Sequence, residues 1–365
     1  MADKNEKEPI GVLLLNLGGP DSLQAVRPFL YNLFSDRQII KLGPEFFQKP
    51  IAWLISALRS KKTEGFYSLI GGKSPILDIT LAQAKALEEA LSYPALIPPL
   101  QTESARHKLR EGVFRVYVGM RYWHPFIEDV IAEIHNAGIR KLLVLSLYPQ
   151  YSIATTGSSV AKVREIISRY PIEMFCVTSW FNHPMYIRAL VDVIKKGIES
   201  FTPSFSPRRI RLSAETLPPR GGGKGEGDIH ILFSAHSLPQ KFIDEGDPYV
   251  KEIMGTIMEI TKRVSIKWHL SYQSKSGPVK WLEPSTDEKI KELAAKGVRD
   301  ILVVPISFVS DHVETLYEID ILYKQMAEGL GINLIRTESL NTYPVFIKAL
   351  KDIVMENIKE LDWPG

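Results

Sequence analysis

The densest run of reactive side chains in this chain is Asp311-His312-Val313-Glu314, followed by Glu318 and Asp320. A second reactive side chain, His236, comes directly after the apolar run Ile231-Leu232-Phe233 and the small residues Ser234 and Ala235. Glu314 and Glu318 are four residues apart, so on a helix they share one face. Carboxylates gathered in one place repel, which favours a bound proton or a bound cation. A neutral imidazole titrates near pH 6.5, so His236 can take up a proton near neutrality or ligate a first-row metal. One histidine with several carboxylates suits Fe(II) and similar divalent ions better than a closed structural zinc. A plainer reading covers some of the same residues, because Asp311 and Glu314 also have the spacing of a capping box at a helix start.

Four other motifs invite tests. Arg121 beside Tyr122 and Trp123 can hold a carboxylate in its planar fork while the rings wall an apolar slot; an arginine stacked on a surface aromatic is the alternative. Thr155-Thr156-Gly157-Ser158-Ser159 reads as a helix start, either self-satisfied or offering hydroxyls and amides to an anion. Gly18-Gly19 lacks the third glycine of a dinucleotide fingerprint. Gly72-Lys73-Ser74 resembles the end of a phosphate loop, but Tyr67 stands where its first glycine belongs and Pro75 follows. Trp281 and Phe308, judged on spacing alone, are core residues.

The elements that must position these groups are written twice. His124-Pro125 lies over Glu283-Pro284, and Gly138-Ile139-Arg140 over Gly297-Val298-Arg299, at the same shift (125 to 284, 138 to 297). Pro184 to Leu190 answers Pro344 to Leu350 after one inserted residue. Strands are expected near 10–17, 114–120, 142–147, 174–178, 229–233, 266–273, 301–306 and 332–336. Helices fall between them, including 80–91, 125–136, 184–199, 285–296, 312–328 and 344–360, with Asp21 capping a helix to about 34. Residues 38–70 show no clean period. Alternating strands and helices predict an α/β fold of two similar Rossmann-like domains, each a parallel β-sheet flanked by helices and related by the repeat, with an active-site cleft between them. The expected division is 9–180, a connecting helix and flexible linker at 181–228, and 229–365, with the C-terminal helix able to pack back on the first half. In such sheets ligands collect at the carboxyl ends of strands. There the first copy carries Tyr148-Pro149-Gln150-Tyr151, where the second carries Phe308 to Glu314.

Bulk composition excludes several classes. The 365 residues hold 45 basic and 42 acidic side chains, a net charge of +3, which gives no nucleic-acid binder. One cysteine, Cys176, excludes an internal disulfide and a cysteine-held iron–sulfur cluster, and it fits a reducing compartment. The polar start has no signal-peptide core. The longest early apolar stretch, around 51–58, is short of the roughly 20 residues that span a bilayer. A soluble, cytoplasmic protein is expected, touching the inner membrane surface peripherally through 46–58; oligomeric state is not readable.

Taken together, Leu15 to Pro20, Gly119 to Pro125, Tyr148 to Ser152, Thr155 to Ser159, Phe233 to Pro239, Gln273-Ser274-Lys275 and Ser310 to Glu318 resemble the ferrochelatase family, in order, from about residue 10 to 355. The resemblance implies a lyase that inserts Fe(II) into protoporphyrin IX in haem biosynthesis. It implies His236, Glu314, Glu318 and Asp311 as catalytic residues, His236 and Glu314 as metal contacts, and Asp320 as part of an acidic ladder. Arg121, Tyr122, Leu17, Trp281, Phe308 and Ser158 match porphyrin-contacting positions. Leu17 departs from the methionine of animal members. No permanent cofactor and no iron–sulfur cluster are implied; iron and porphyrin are substrates. The alternatives are a cobalt or nickel chelatase acting on another tetrapyrrole, a non-catalytic haem carrier, and a two-lobed sugar or nucleotide binder that the failed phosphate motifs weaken.

Overall fold

The computed structural model describes residues 8–92, 114–201, 229–275, 277 and 279–363. The proline-rich insert at 93–112 and all but the first residue of the 201–228 stretch lie outside them. The chain divides into two compact units. One takes the chain up to Tyr186 together with Ser310–His312 and Asn341 onward; the other takes Ile187–Val309 and Val313–Leu340.

In the first unit a parallel sheet runs in the order β2-β1-β3-β4, built from β1 (Ile10–Asn16), β2 (Phe114–Met120), β3 (Lys141–Ser146) and β4 (Glu173–Val177). All seven residues of β1 are buried, as expected of an apolar run covered on both faces. Its helices are α1 (Val26–Ser35), α2 (Glu45–Leu69), α3 (Ile76–Ser92), α4 (Ile127–Asn136) and α5 (Ser158–Ile167). Leu13, Leu15, Ile131, Leu142, Val144 and Val163 pack as one cluster between the sheet, α4 and α5. Next come α6 (Pro184–Glu199), β5 (Ile229–His236), α7 (Gln240–Asp244), α8 (Tyr249–Thr261), β6 (Trp268–Gln273), α9 (Thr286–Ala295) and β7 (Asp300–Pro305). After a wide-turned helix over Glu314–Tyr323 follow α10 (Lys324–Gly329), β8 (Asn333–Arg336) and α11 (Pro344–Glu360). In the second unit the parallel order is β6-β5-β7-β8, the same winding as in the first.

The repeat holds down to single hydrogen bonds. Leu147 N–H reaches Leu15 O at 3.0 Å, and Ile306 N–H reaches Ser234 O at 3.0 Å. Glu173 N–H to Arg140 O is matched by Asn333 N–H to Arg299 O. Both proline positions of the repeat follow cis peptide bonds. Gly138 and Gly297 end their helices at φ 80° and 82°, a conformation that glycine takes without a Cβ penalty.

Of the 229–365 stretch, Ser310–His312 and Asn341 onward group with the first unit because α11 is fastened there. Lys351 Nζ donates to Ala90 O at 2.6 Å, and Trp363 Nε1 to Glu173 Oε1 at 3.2 Å. Four local expectations change. Residues 38–70 contain the 25-residue α2, whose outward face is apolar, with Phe46 and Leu58 more than 70% exposed and Trp53 and Leu54 also exposed. Its buried stripe is small and polar, with Gln48, Ala52, Ser56 and Ser60, the reverse of the usual amphipathic order. Its buried Gln48 donates to Phe34 O (2.7 Å) and Ile40 O (2.9 Å), tying it to the preceding loop. Asp21 does not cap α1, which begins at Val26. The helix expected over 312–328 is a π-helix from Glu314 to Tyr323 before α10 begins. A five-residue π turn, Ile153–Gly157, precedes α5.

Candidate active site

Gly18-Gly19-Pro20 and Gly72-Lys73-Ser74 belong to one structural turn and not to a phosphate cradle. Gly18 has φ 84°, and a Cβ on Gly19 would lie 2.5 Å from Ser74 Oγ. Ser74 N–H donates to Pro20 O at 2.8 Å, and Lys73 pairs with Asp78 on the surface.

In the second unit, the carboxyl end of β5 and the helix that follows β7 bring the predicted chemistry together, beside the end of β6. His236 Nδ1 and Glu314 Oε2 are 2.8 Å apart. The imidazole is held from behind: its backbone N–H donates to Ser307 Oγ (2.9 Å), and its carbonyl accepts from Tyr249 Oη (3.0 Å). The Phe308 ring stands edge-on to it at 6.1 Å. Glu318 Oε2 accepts from Ser274 Oγ at 2.7 Å. The backbone of Ser274 is left-handed (φ 67°), an uncommon state for a non-glycine residue that places its hydroxyl on this carboxylate.

Charge follows from this packing. Burial alone would lower the His236 pKa, but the Glu314 carboxylate in contact and Glu318 beyond it outweigh burial and hold it above the ordinary imidazole value. Burial, then the neighbouring Glu314, push the Glu318 carboxyl up to about 7, against the opposing hydrogen bond from Ser274 and the charge of His236. Among the described residues no group of three or more His, Cys, Asp or Glu side chains is placed to hold a metal ion. His236 and Glu314 therefore offer two donors, a number that leaves positions open for water or substrate.

The other acidic residues are occupied elsewhere. Asp320 forms a two-bond pair with Arg336, at 2.8 and 2.7 Å, so it does not extend a ladder of unpaired carboxylates. Asp311 groups with the first unit, where its carboxylate accepts from Asn341 Nδ2 (2.8 Å) and its N–H donates to Asn341 Oδ1 (3.0 Å). It is not the N-cap of the helix at Glu314, which starts after Val313, so the capping-box reading fails. Trp281 bridges to Pro239 and is half-buried, with a buried indole N–H that has no acceptor among the described residues.

In the first unit Arg121, Tyr122 and Ser158 converge, and the carboxylate they share belongs to Asp36, just past α1. Its Oδ2 accepts from Arg121 Nη2 (2.7 Å), Tyr122 Oη (2.7 Å) and Ser158 Oγ (2.5 Å), and its Oδ1 from Gln38 N–H (2.8 Å). Arg121 also donates from Nε to Ser158 Oγ (2.9 Å) and lies over the Tyr122 ring. Burial alone would raise the Asp36 pKa; the bonds from Ser158 and Tyr122 and the Arg121 charge prevail and hold it below the usual carboxylate value. Burial pushes the Tyr122 phenol well above its usual value, keeping it a neutral donor. Of the two readings of Thr155–Ser159, this is the self-satisfied one: Ser158 donates to the chain's own Asp36 carboxylate, and Thr156 Oγ1 pairs with Ser146 Oγ. Half-buried Leu17 joins this cluster through its carbonyl, which accepts from Tyr122 N–H (2.9 Å).

Sequence reasoning missed Asp36 and Gln273. Asp36 sits in a polar turn with partners 85 and 122 residues away, and no local signal marks it. Gln273 has only its place in the run Gln273-Ser274-Lys275 to mark it in the sequence.

Comparison with known proteins gives a consistent result. The family model described as Ferrochelatase matches residues 9–358. A ferrochelatase of Geotalea uraniireducens is 46% identical over 355 residues, covering 96% of this chain and 98% of that protein. One from Synechocystis is 43% identical over 360 residues, covering 96% of this chain and 83% of the other. Among solved structures, SirB from Bacillus subtilis with Fe3+ aligns over 97% of this chain and 98% of its own, with a TM-score of 0.54 at 13% identity, a likeness of fold.

Proposed function

This chain belongs to the ferrochelatase family, and we propose that His236, Glu314 and Glu318 carry its proton and metal chemistry. The reaction is insertion of Fe(II) into protoporphyrin in haem synthesis, a lyase reaction. Two pyrrole N–H protons leave as one dication enters, so the enzyme must accept protons and take the metal from water. His236 Nδ1 is committed to Glu314, which leaves Nε2 as the nitrogen that receives a pyrrole proton. The Glu314 carboxylate stabilises the imidazolium that results. Glu318, with a pKa of about 7, can take a proton onward at neutral pH and release it. Asp311, fixed by Asn341, acts as a further carboxylate for protons or iron in transit.

On the porphyrin side, Arg121, Tyr122, Ser158, Leu17, Trp281 and Phe308 are the proposed contacts. Arg121 already carries the Asp36 charge, so this cluster meets the substrate as a rigid, nearly neutral polar surface rather than as an unpaired cation. Iron is a substrate, and no resident cofactor enters the scheme. Among the described residues no helix is long and apolar enough to cross a membrane. The exposed apolar face of α2 is the proposed peripheral membrane contact, which would set the enzyme at the cytoplasmic surface.

The observation that carries this reading is the 2.8 Å contact between His236 and Glu314. Anaerobic incubation of His236→Ala with Fe(II) and protoporphyrin, followed by absorbance, tests it. The variant should bind porphyrin and fail to metallate it; ordinary turnover would end the reading.

A further inference from the structure

Gln273 closes β6 directly opposite His236 in the strand register and is 1% exposed. Its side-chain oxygen accepts from Ser234 Oγ at 2.6 Å. Its side-chain nitrogen donates to the Glu314 backbone carbonyl at 3.0 Å and faces Glu318 Oε2 at 3.4 Å. Behind it lies a run of buried hydroxyls: Ser234 Oγ is 2.9 Å from Thr286 Oγ1, which is 3.0 Å from Ser271 Oγ. All three residues have no exposed surface.

The amide can point only one way. Both groups on the helix side, a carbonyl oxygen and a carboxylate, are acceptors, so the NH2 must face them. A reversed amide would set its oxygen against two acceptors and its NH2 against a hydroxyl that has Thr286 for company. The hydroxyl run accommodates the same choice from the core, because Ser234 can give its single O–H to the amide oxygen while accepting from Thr286. One rigid side chain therefore grips positions 314 and 318 of the π-helix together, and it is anchored in the same strand pair that carries His236.

We infer that Gln273 is a positioning residue for the metallation site: its core-oriented amide fixes the Glu314 and Glu318 carboxyl groups relative to the His236 imidazole. The inference rests on the reading that these three side chains perform the chemistry. Gln273 itself carries neither proton nor metal in that reading and acts through Glu314 and Glu318, so its loss should spoil geometry and leave porphyrin recognition intact. Loss of a residue that orients a ligand or base commonly lowers activity about 10–100-fold.

The test is steady-state metal insertion by the full chain, with Zn(II) and protoporphyrin as probes, comparing Gln273→Met, Ser234→Ala and His236→Ala. Gln273→Met keeps the length and removes both amide bonds. Its kcat should fall about 10–100-fold while KM for porphyrin changes less than about twofold, and Ser234→Ala should follow in the same direction with a smaller loss. If Gln273→Met does not fold, as judged by circular dichroism, Ser234→Ala decides alone: a lowered kcat at unchanged KM supports the inference, and an unchanged kcat overturns it. A folded Gln273→Met with normal kcat, or with KM and melting temperature altered and kcat not, also overturns it. Normal turnover by His236→Ala in the same assay would instead remove the underlying reading, so the two failures are distinguishable.

Discussion

Replacing Asp36 by asparagine tests whether the first unit's polar cluster is held by charge or merely by shape. The carboxylate side chain is 7% exposed, and Arg121 keeps 18% of its side-chain surface open. Three donors meet at Oδ2, and a backbone N–H meets Oδ1. Asparagine can keep one oxygen for the three donors only by turning its NH2 toward the Gln38 N–H, donor against donor. Removing one partner of a buried, hydrogen-bonded charge pair costs about 3–5 kcal/mol. The remaining access of Arg121 to water favours the lower end, so a loss of about 3 kcal/mol is expected. The sign with pH follows from the depressed Asp36 pKa. Its stabilisation is complete above the ordinary carboxyl pKa and disappears as pH falls through the lower folded value. Urea denaturation of both proteins should therefore show the full gap at pH 7 and a narrowing gap toward about pH 3, where the unfolded carboxyl near 3.9 is protonated. A gap under about 1 kcal/mol at pH 7, the value of an exposed ion pair, or a gap independent of pH, would refute the reasoning.

Glu318 should behave in the opposite sense. Its folded pKa of about 7 lies above an unfolded value near 4.5, so the wild type loses stability as pH rises through this window, by about 3 kcal/mol in all. Glu318→Gln should match the wild type at pH 4 and exceed it at pH 8 in urea unfolding, with slower metal insertion; a variant less stable at pH 8 contradicts the assigned charge. Gly19→Ala should destabilise by about 1–3 kcal/mol, because its Cβ meets Ser74 Oγ, and Ser74→Gly in the same chain should restore the melting temperature. If the double variant melts as low as the single one, the close approach is not the cause. Trp53 and Leu58, both exposed on α2, should carry the protein up with anionic phospholipid vesicles in a flotation gradient. The Trp53→Asp, Leu58→Asp pair should leave it at the bottom, and wild-type protein that never floats would rule out the membrane contact.

What the sequence revealed depended on how local each cause was. Parallel sheets were legible because central strands such as β1, β3 and β7 are largely apolar runs and turns carry their own punctuation, as at Gly138 and Gly297. The meeting of His236 and Glu314 was legible too: both follow neighbouring parallel strands, β5 and β7, at the carboxyl end. Asp36 was hidden because its meaning comes from Tyr122 and Ser158, neither of them near it in sequence. Asp320 looked like a member of an acidic row until Arg336, 16 residues on, claimed it with two bonds. The π-helix and the outward apolar face of α2 were equally silent. In α2 the small and polar residues Gln48, Ala52, Ser56 and Ser60 face inward and apolar ones face out, which inverts the pattern by which a helix is read.

The two copies of the repeat differ most in how their charges balance. At the strand ends of the first unit, Arg121 and Asp36 cancel and Tyr122 stays neutral, so the cluster neither takes up nor releases protons near pH 7. In the second unit one imidazole stands against two carboxylates, with only neutral hydrogen-bond donors, Ser274 and Gln273, on Glu318. Protonating His236 and Glu318 makes that array neutral; losing both protons gives it two negative charges, the complement of one dication. A residue held near pKa 7 keeps both forms populated at neutral pH, the condition for passing a proton on instead of retaining it. The same fold thus carries a charge-balanced polar cluster in one copy and, in the other, the array proposed above to exchange protons. The difference traces to one permanent cation: Arg121 pairs with Asp36, whereas Glu318 meets only the hydroxyl of Ser274 and the amide of Gln273.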